Sequence, residues 1–560
     1  MTYLILQSCC NDASCTEVCP VDCIHPTPDE PQFMSAEMLH IDPDTCIDCG
    51  ACVDECPVDA IRADHEVGAG QDIYFELNAG YFADNPRIGP DYSDNGPSNA
   101  GFDFSGTRVA IVGTGPAAFY TALELAAVRG IEIDMYDRDT TPYGLVRSGV
   151  APDHPTTKTI ADVFRAVAGK NSVRVHLGVE IGRDVTHDDL MEYHDAVVYA
   201  TGASGARTLD IPGEDLPGSH AATEFVGWYN GHPDFRHLTF DLSSPRAVVI
   251  GNGNVALDVA RILTTDPETL AQTDIADHAL ETLRNSRIRE VVVIGRRGPA
   301  QARFTMPELV ELSSLSGVEL VSLPNEVNAD EDSAAELGVE ATAKLALIRR
   351  SAERTPSNVD TDSDSRRIVL RFHLSPVAIR GDGAATGIEL ARTASIDDGG
   401  DTVGAESTVS GETIDSTLIV RSVGYRGLEI PGVPFDDGRG VIPNVAGRVV
   451  NDVHDVVSGV YAAGWIKRGP SGVIGSNRKC ATDTVRALLD DIATGRIPRA
   501  HPGRDELDAF IAAHAPSTID FSEWTVVDAA EIAAGAPSGR PRIKFVDPDA
   551  IREVARQRES

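Results

Sequence analysis

Val109-Ala110-Ile111-Val112-Gly113-Thr114-Gly115-Pro116-Ala117-Ala118 is a short, wholly apolar run that ends in two glycines and a proline. Such a run reads as a strand buried on both faces of a parallel sheet, with the glycine turn opening a helix through Tyr120 to Val128. Gly113 permits the tight turn, Gly115 lets backbone approach a pyrophosphate, and Ala118 stands where strand and helix pack closely. The helix start, entered through Pro116 and Ala117, offers free N–H groups and a positive dipole end to phosphate. A lone G-x-G-x-x-A is weak evidence. Here a further strand, Ile131–Tyr136, follows and ends at Asp137, 24 residues after Gly113. An acid at that point accepts both ribose hydroxyls, so the ligand should lack a 2′-phosphate; FAD or NAD fits.

Mid-chain the pattern returns with one decisive change. Ala247–Ile250 leads into Gly251-Asn252-Gly253-Asn254-Val255-Ala256, which opens a helix through Asp258 to Leu263. The next apolar strand, Val291–Ile294, ends in Gly295-Arg296-Arg297, placing two guanidinium groups where the first unit has its acid. Charge-assisted, bidentate bonding from such a pair suits a 2′-phosphate, so this site reads as NADP. The 45 residues from Gly251 to Arg296 exceed the usual ~20, and an insertion should occupy the difference. Two doubly wound α/β units of opposite ribose preference imply a flavin fed by NADPH.

Toward the N-terminus, the Pro/Gly/Asn/Asp-rich stretch between Asp84 and Ser105 reads as an interdomain linker. Before it, nine of the ten cysteines fall in the first 56 residues. Cys46-Ile47-Asp48-Cys49-Gly50-Ala51-Cys52-Val53-Asp54-Glu55-Cys56-Pro57 is C-x2-C-x2-C-x3-C-P, a spacing that turns three thiolates round an iron–sulfur cube and sends the fourth to a neighbouring cluster. Cys15-x3-Cys19-Pro20 repeats the second half. Cys19 should therefore complete the [4Fe–4S] set of Cys46, Cys49 and Cys52. Cys56 should cross back to Cys15 and a partner that is Cys9 or Cys10, with Cys9 carried as the candidate ligand. Three ligands favour [3Fe–4S] over [4Fe–4S] for that second cluster. Cys23 belongs to neither set and reads as a small buried residue beside a cluster. Structural zinc lacks its paired knuckles and histidines here, and a disulfide framework does not suit a long acidic chain.

The net charge of −38 argues against a nucleic-acid partner, because phosphate binding requires clustered Lys and Arg. No apolar stretch approaches the ~18–20 residues of a membrane span. Met1-Thr2-Tyr3 shows no basic leader, and thiolates kept for iron need a reducing compartment, so a cytoplasmic location is expected. Polar runs at Ser351–Arg367 and Ile396–Ser416 read as surface excursions.

Residues 107 to 545 resemble the ferredoxin–NADP reductases of the adrenodoxin reductase family. The likeness rests on Gly113–Ala117, Pro142-Tyr-Gly-Leu-Val-Arg-Ser-Gly-Val-Ala-Pro-Asp-His154, Gly251–Asp258, Gly295–Pro299 and Ala463-Gly-Trp-Ile-Lys-Arg-Gly-Pro-Ser-Gly-Val-Ile-Gly475. The N-terminal segment resembles seven-iron bacterial ferredoxins, although only five residues separate Cys9 from Cys15. The resemblance implies an α+β ferredoxin-like module over 1–80, a linker over 81–106, and two Rossmann-like domains. FAD would occupy 107–211 with 424–560, and the NADP domain, 212–423, would be inserted in it. FAD is then expected on the Gly113–Ala117 turn (Gly113, Gly115, Pro116, Ala117), at Asp137, and near Leu145 and Val179. Trp465 and Gly472-Val473-Ile474 should lie against the flavin. NADP is expected on Gly253, Asn254, Val255 and Ala256, with Arg296 and Arg297 at the 2′-phosphate and Glu308 and Gly472 at the nicotinamide end. His154 and Glu311 match positions in the hydride-transfer region.

The expected activity carries a hydride from NADPH to FAD, then single electrons to the fused clusters and to a downstream acceptor such as a free ferredoxin or a monooxygenase system. Fusion raises the effective concentration of the module at the flavin, so a tight docking interface is not required. Two alternatives stay open: an electron-input subunit resembling the glutamate synthase small subunit, and a non-enzymatic iron–sulfur redox sensor. A disulfide reductase would need a C-x-x-C pair in the nucleotide units, where Cys480 stands alone.

Overall fold

The computed structural model describes residues 2–68, 70–85, 101–327, 339–353, 365–393, 411–497 and 501–557. Residues 86–100 of the expected linker, 354–364 of the first polar excursion and 396–410 of the second lie outside the described residues.

The N-terminal module is built from two similar halves. Strand Tyr3–Ile5 pairs antiparallel with Ile61–Ala63, and Ile24–His25 with His40–Ile41. Helices Ser14–Glu17 and Ala51–Glu55 each carry a buried cysteine, and each is entered through a left-handed residue, Ala13 at φ 64° and Gly50 at φ 73°. A module this small buries a smaller share of its surface than a larger domain does. A buried amide ties it together: Asn78, on helix Ile73–Asp84, accepts from the N–H groups of Ile5 and Ile41 and donates to the carbonyls of Ile5 and Tyr74. That helix runs across the boundary expected at residue 80.

The first nucleotide unit is an eight-stranded sheet. Its parallel centre runs Val456–Ala462, Ala196–Tyr199, Thr107–Val112, Ile131–Asp137 and Val173–Leu177, with antiparallel Arg448–Val450 and then Asn444–Val445 on one side and Ile519–Asp520 on the other. The strand containing the opening apolar run is buried at every residue, as a two-faced parallel strand must be. The second unit is a six-stranded parallel sheet, in the order Ser219–Ala221, Leu418–Arg421, Arg246–Ile250, Glu290–Ile294, Arg366–Arg371, Val318–Ser322. All its strands fall between the two sequence halves of the eight-stranded sheet. The chain passes outward and back through a two-stranded antiparallel ribbon, Gly205–Ala206 with Tyr425–Arg426. Helices Pro267–Leu270 and Asp277–Arg284 fill the interval that stretches Gly251 away from Arg296.

The module is not merely tethered. Its buried residues join one apolar cluster with helix Pro116–Ala126, helix Ser476–Ala493 and residues Met306 and Val310. Gly475 donates its N–H to the Cys10 carbonyl at 2.6 Å, and a Cβ there would collide with the Asn11–Asp12 backbone. Tyr120 donates its hydroxyl to buried Asp12 at 2.8 Å. Arg478 reaches the Ser14 hydroxyl and the Glu17 carboxylate, both at 2.9 Å.

Candidate functional site

The two glycine turns share one asymmetry. Gly113 has φ 112°, and a Cβ on it would sit 2.6 Å from the Ala200 carbonyl oxygen, so the fold itself demands glycine. Gly251, at φ 118°, meets the Ser422 carbonyl in the same way. The second glycine of each turn, Gly115 or Gly253, is extended, and a Cβ on either would touch no protein atom within 4 Å. Each precedes a helix, Pro116–Ala126 or Asn254–Thr264, whose first turn has no side-chain cap. Among the described residues, no packing contact accounts for the missing side chain at these two positions.

Around the first turn, Asp137 accepts from the Thr114 N–H at 2.7 Å and the Thr114 hydroxyl at 2.5 Å. Burial and the neighbouring charge of Asp139 push this carboxyl up to about 6. Val179 is buried and bonds back to the Asp137 carbonyl, so it contributes through backbone position. Tyr143 at φ 81° and Gly144 at φ 48° bend the chain against Gly115, and Leu145 starts the next helical turn, partly exposed. From the C-terminal side, Gly464 packs on Ala117 so closely that a Cβ would clash, which brings Trp465 to this turn. Trp465 donates to the Ser471 carbonyl at 3.0 Å and lies 5.7 Å from the Tyr425 ring. The Val473 and Ile474 carbonyls accept from Asn477, and Gly472 takes φ 77°.

Around the second turn, Asn254 and Thr305 exchange hydrogen bonds at 2.7 and 3.3 Å; Ala256 is buried and Val255 partly so. Arg296 and Arg297 are exposed at the strand end, and neither guanidinium makes an ion pair among the described residues. Their backbone carbonyls are used instead, by Thr393 and His373.

The two units meet at a charge network. His154, from the first, donates from Nε2 to Glu311 Oε2 of the second at 2.8 Å. Arg261, 1% exposed, pairs with Asp153 and Asp258 and lies 3.9 Å from Glu311. Burial opposes charge on His154, but the bond to Glu311 overrides it and raises the imidazole to about 9. Glu311 is held below its ordinary value despite burial, by His154 and Arg261. Glu308, half-buried, is pushed up to about 8 by desolvation and the neighbouring charge of Asp258. Asp153, Asp258 and Arg261 were not singled out from sequence as charge partners. The signal was available: an acid and an arginine one turn apart on a helix whose other neighbours are apolar.

Cys19, Cys46, Cys49 and Cys52 line one small pocket. Cys23 lines it too, buried, with its sulfur 3.4 Å from that of Cys19. Ala60 donates its N–H to Cys56 Sγ at 3.2 Å, as Cys23 does to Cys19 Sγ at 3.3 Å. Leu39 donates to Cys9 Sγ at 3.5 Å. The Coulombic neighbours of Cys15 are Cys9 and Cys56 first. Cys10 is buried at the contact with the reductase, its carbonyl taken by Gly475. As free thiols, burial raises Cys9 to about 11 and Cys52 to about 12, so any metal bound by either must displace its proton.

Residues 107–299 match the family described as pyridine nucleotide-disulphide oxidoreductase, and residues 39–62 match the 4Fe-4S binding domain. Over 98% of its length the chain is 46% identical to a probable ferredoxin/ferredoxin–NADP reductase of Mycobacterium leprae, of which 96% is covered. It is 48% identical to the NADPH-ferredoxin reductase FprA of Mycobacterium tuberculosis over 78% of this chain and 96% of that one. The solved structure of Mycobacterium tuberculosis FprA in complex with NADPH superposes with a TM-score of 0.75 at 45% identity, covering 80% of this chain and 99% of the other.

Proposed function

The chain belongs to the ferredoxin–NADP reductase family, in the form that carries a ferredoxin domain at its N-terminus, and from that premise we propose how its residues divide the work. It is an NADPH-dependent oxidoreductase. Bound FAD supplies the conversion between a hydride and single electrons, and iron–sulfur centres take electrons one at a time.

Gly113, Gly115, Pro116 and Ala117 cradle the FAD pyrophosphate, Asp137 faces its ribose, Leu145 and Val179 flank it, and Trp465 with Gly472-Val473-Ile474 closes over the flavin. Gly253, Asn254, Val255 and Ala256 hold the NADP pyrophosphate, and the exposed Arg296 and Arg297 take the 2′-phosphate. Glu308 and Gly472 border the nicotinamide. His154 and Glu311 span the joint between the two units and hold the reacting rings in register and a fixed charge beside them; neither is needed as a proton donor. Cys19, Cys46, Cys49 and Cys52 ligate a [4Fe–4S] cluster, and Cys9, Cys15 and Cys56 ligate a second, for which three thiolates favour [3Fe–4S]. The module spans 1–80, the linker 81–106, the FAD domain 107–211 with 424–560, and the NADP domain 212–423. The acceptor is a free ferredoxin or a monooxygenase system in a reducing compartment such as the cytoplasm. No helix among the described residues is long and apolar enough to cross a membrane.

The observation that carries this reading is the pair of second glycines, Gly115 and Gly253, each open to a ligand and to nothing else. The test is an anaerobic NADPH titration followed by absorbance and electron paramagnetic resonance. Flavin bleaching followed by reduction of cluster signals is expected, with a [3Fe–4S] signal in the oxidised protein. Bleaching without reduction of either cluster would sink the relay.

A further inference from the structure

We propose that the N-terminal module completes the nicotinamide-side charge network, with Gln7 as a positioning residue for the Glu311–His154 pair. Gln7 donates from Nε2 to Glu311 Oε2 at 2.7 Å, across a sequence separation of 304 residues. The same oxygen accepts from His154 at 2.8 Å, so one carboxylate oxygen is shared between the module and the catalytic region. A second contact anchors the same helix, Met306–Ser313. Its N-cap residue Thr305 makes no side-chain cap, and the Met306 N–H instead donates to Glu37 Oε2 of the module at 2.7 Å. A carboxylate there also suits the positive end of the helix dipole. Lys344, 3.3 Å from Glu37, holds that carboxylate in place. The module thus caps the helix at its start and grips it at Glu311.

The consequence for charge follows from what surrounds Glu311. Asp153 and His154 face it from one side, and Asp258 and Arg261 from the helix behind; Glu308 lies one turn earlier on its own helix. From the module comes Tyr74, whose buried hydroxyl has no partner among the described residues. The net field is acidic, and the Gln7 amide is the one neutral side-chain donor to Glu311 among the described residues. Removing it leaves the carboxylate to bind the His154 proton more strongly. A carboxylate at position 7 would add like charge and strengthen that hold further.

This inference rests on the proposed placement of the nicotinamide end. The experiment compares wild type, Gln7→Leu and Gln7→Glu as holoenzymes. NADP+ affinity is measured from the flavin difference spectrum, and flavin bleaching by NADPH in stopped flow, each against pH. The alkaline midpoint of both profiles should rise in the order wild type, Leu, Glu, by about half a unit and then about one unit or more. One midpoint shared by all three proteins would overturn the proposal. Equal displacement by Leu and Glu would also overturn it, because a misfitted module does not distinguish a lost donor from an added charge. Wild type that NADPH does not bleach would instead defeat the reading of the reductase itself.

Discussion

Gly253→Ala separates binding from folding at the nucleotide turn. The position is extended, at φ −99° and ψ 178°, a conformation alanine adopts freely, and the added methyl meets no protein atom within 4 Å. Reduced freedom of the unfolded chain stabilises by about 0.4–1 kcal/mol. Alanine is a poorer N-cap than glycine by a similar amount, so the two effects nearly cancel. Melting temperature and flavin content should therefore stay at wild-type values. The methyl does occupy the space through which a pyrophosphate reaches the helix N–H groups. Losing one or two charge-assisted hydrogen bonds at about 1.5–3 kcal/mol in total raises the Kd for NADP+ roughly 10- to 150-fold. Gly251→Ala should behave in the opposite way. Its φ is 118°, and its Cβ would lie 2.8 Å from the Ser422 carbonyl carbon, nearer still to the oxygen. Strained backbone and overpacking together cost about 2–5 kcal/mol, read as a lower melting temperature before any ligand is added. The assay pairs thermal melts with NADP+ titration of the holoenzyme. A Gly253→Ala protein that binds NADP+ as wild type does would refute the assignment of that open space to the cofactor.

Replacing Arg296 and Arg297 together by Ala should raise the KM for NADPH by about 100-fold and leave that for NADH nearly unchanged, since both side chains act on the 2′-phosphate alone; equal losses for the two cofactors would count against it. Cys10→Ala should retain both clusters, whereas Cys9→Ala should lose the Cys15–Cys56 cluster, as read by iron content and paramagnetic signals; the reverse pattern would reassign the ligand. Glu311→Gln should return the His154 imidazole from about 9 toward its ordinary range near 6.5, measured by histidine NMR. Because the folded value is raised, the stabilisation from this pair is complete below about pH 6.5 and fades as pH rises through 9, so the wild type should lose its stability advantage over Glu311→Gln across that window. Turnover in either His154 or Glu311 variants should slow without vanishing, and complete loss with flavin still bound would contradict a positioning role.

The features legible in the sequence are those that local chemistry dictates. Apolar strands feeding glycine turns were readable because the centre of a two-faced parallel strand is apolar, and the runs Val109–Val112 and Ala247–Ile250 lie within strands Thr107–Val112 and Arg246–Ile250. The cysteine spacing was readable because each half-motif folds as one short helix and its flanking turn. The insertion before Arg296 was inferable as a length but not as two helices. What escaped was long-range. Gln7 is an unremarked amide next to a cysteine motif, and nothing near it in sequence announces Glu311. Arg261 sits on the apolar side of a helix, and its value comes from Asp153 of another unit. Gly475 reads as a motif glycine, while its demand for glycine comes from the Asn11–Asp12 backbone of the module.

That last contact bears on why the module is fused at all. A flexible tether raises effective concentration and asks nothing of the surfaces it brings together. Here the surfaces are fitted: Gly475 admits the Cys10–Asp12 backbone where any side chain would block it, and Tyr120 spends its only buried hydroxyl on Asp12. Arg478 grips the helix that carries Cys15 at both Ser14 and Glu17. These bonds hold the helix that carries Cys15 against the Gly472–Gly475 segment, while Cys49 and Ile47 remain exposed, Ile47 at 58%. The same docked pose seats Gln7 on Glu311 and Glu37 on the start of its helix. This one contact therefore fixes the module relative to the Gly472–Gly475 segment and to helix Met306–Ser313 together. Loosening it should disturb NADPH handling along with electron delivery, an outcome that a tether alone would not produce.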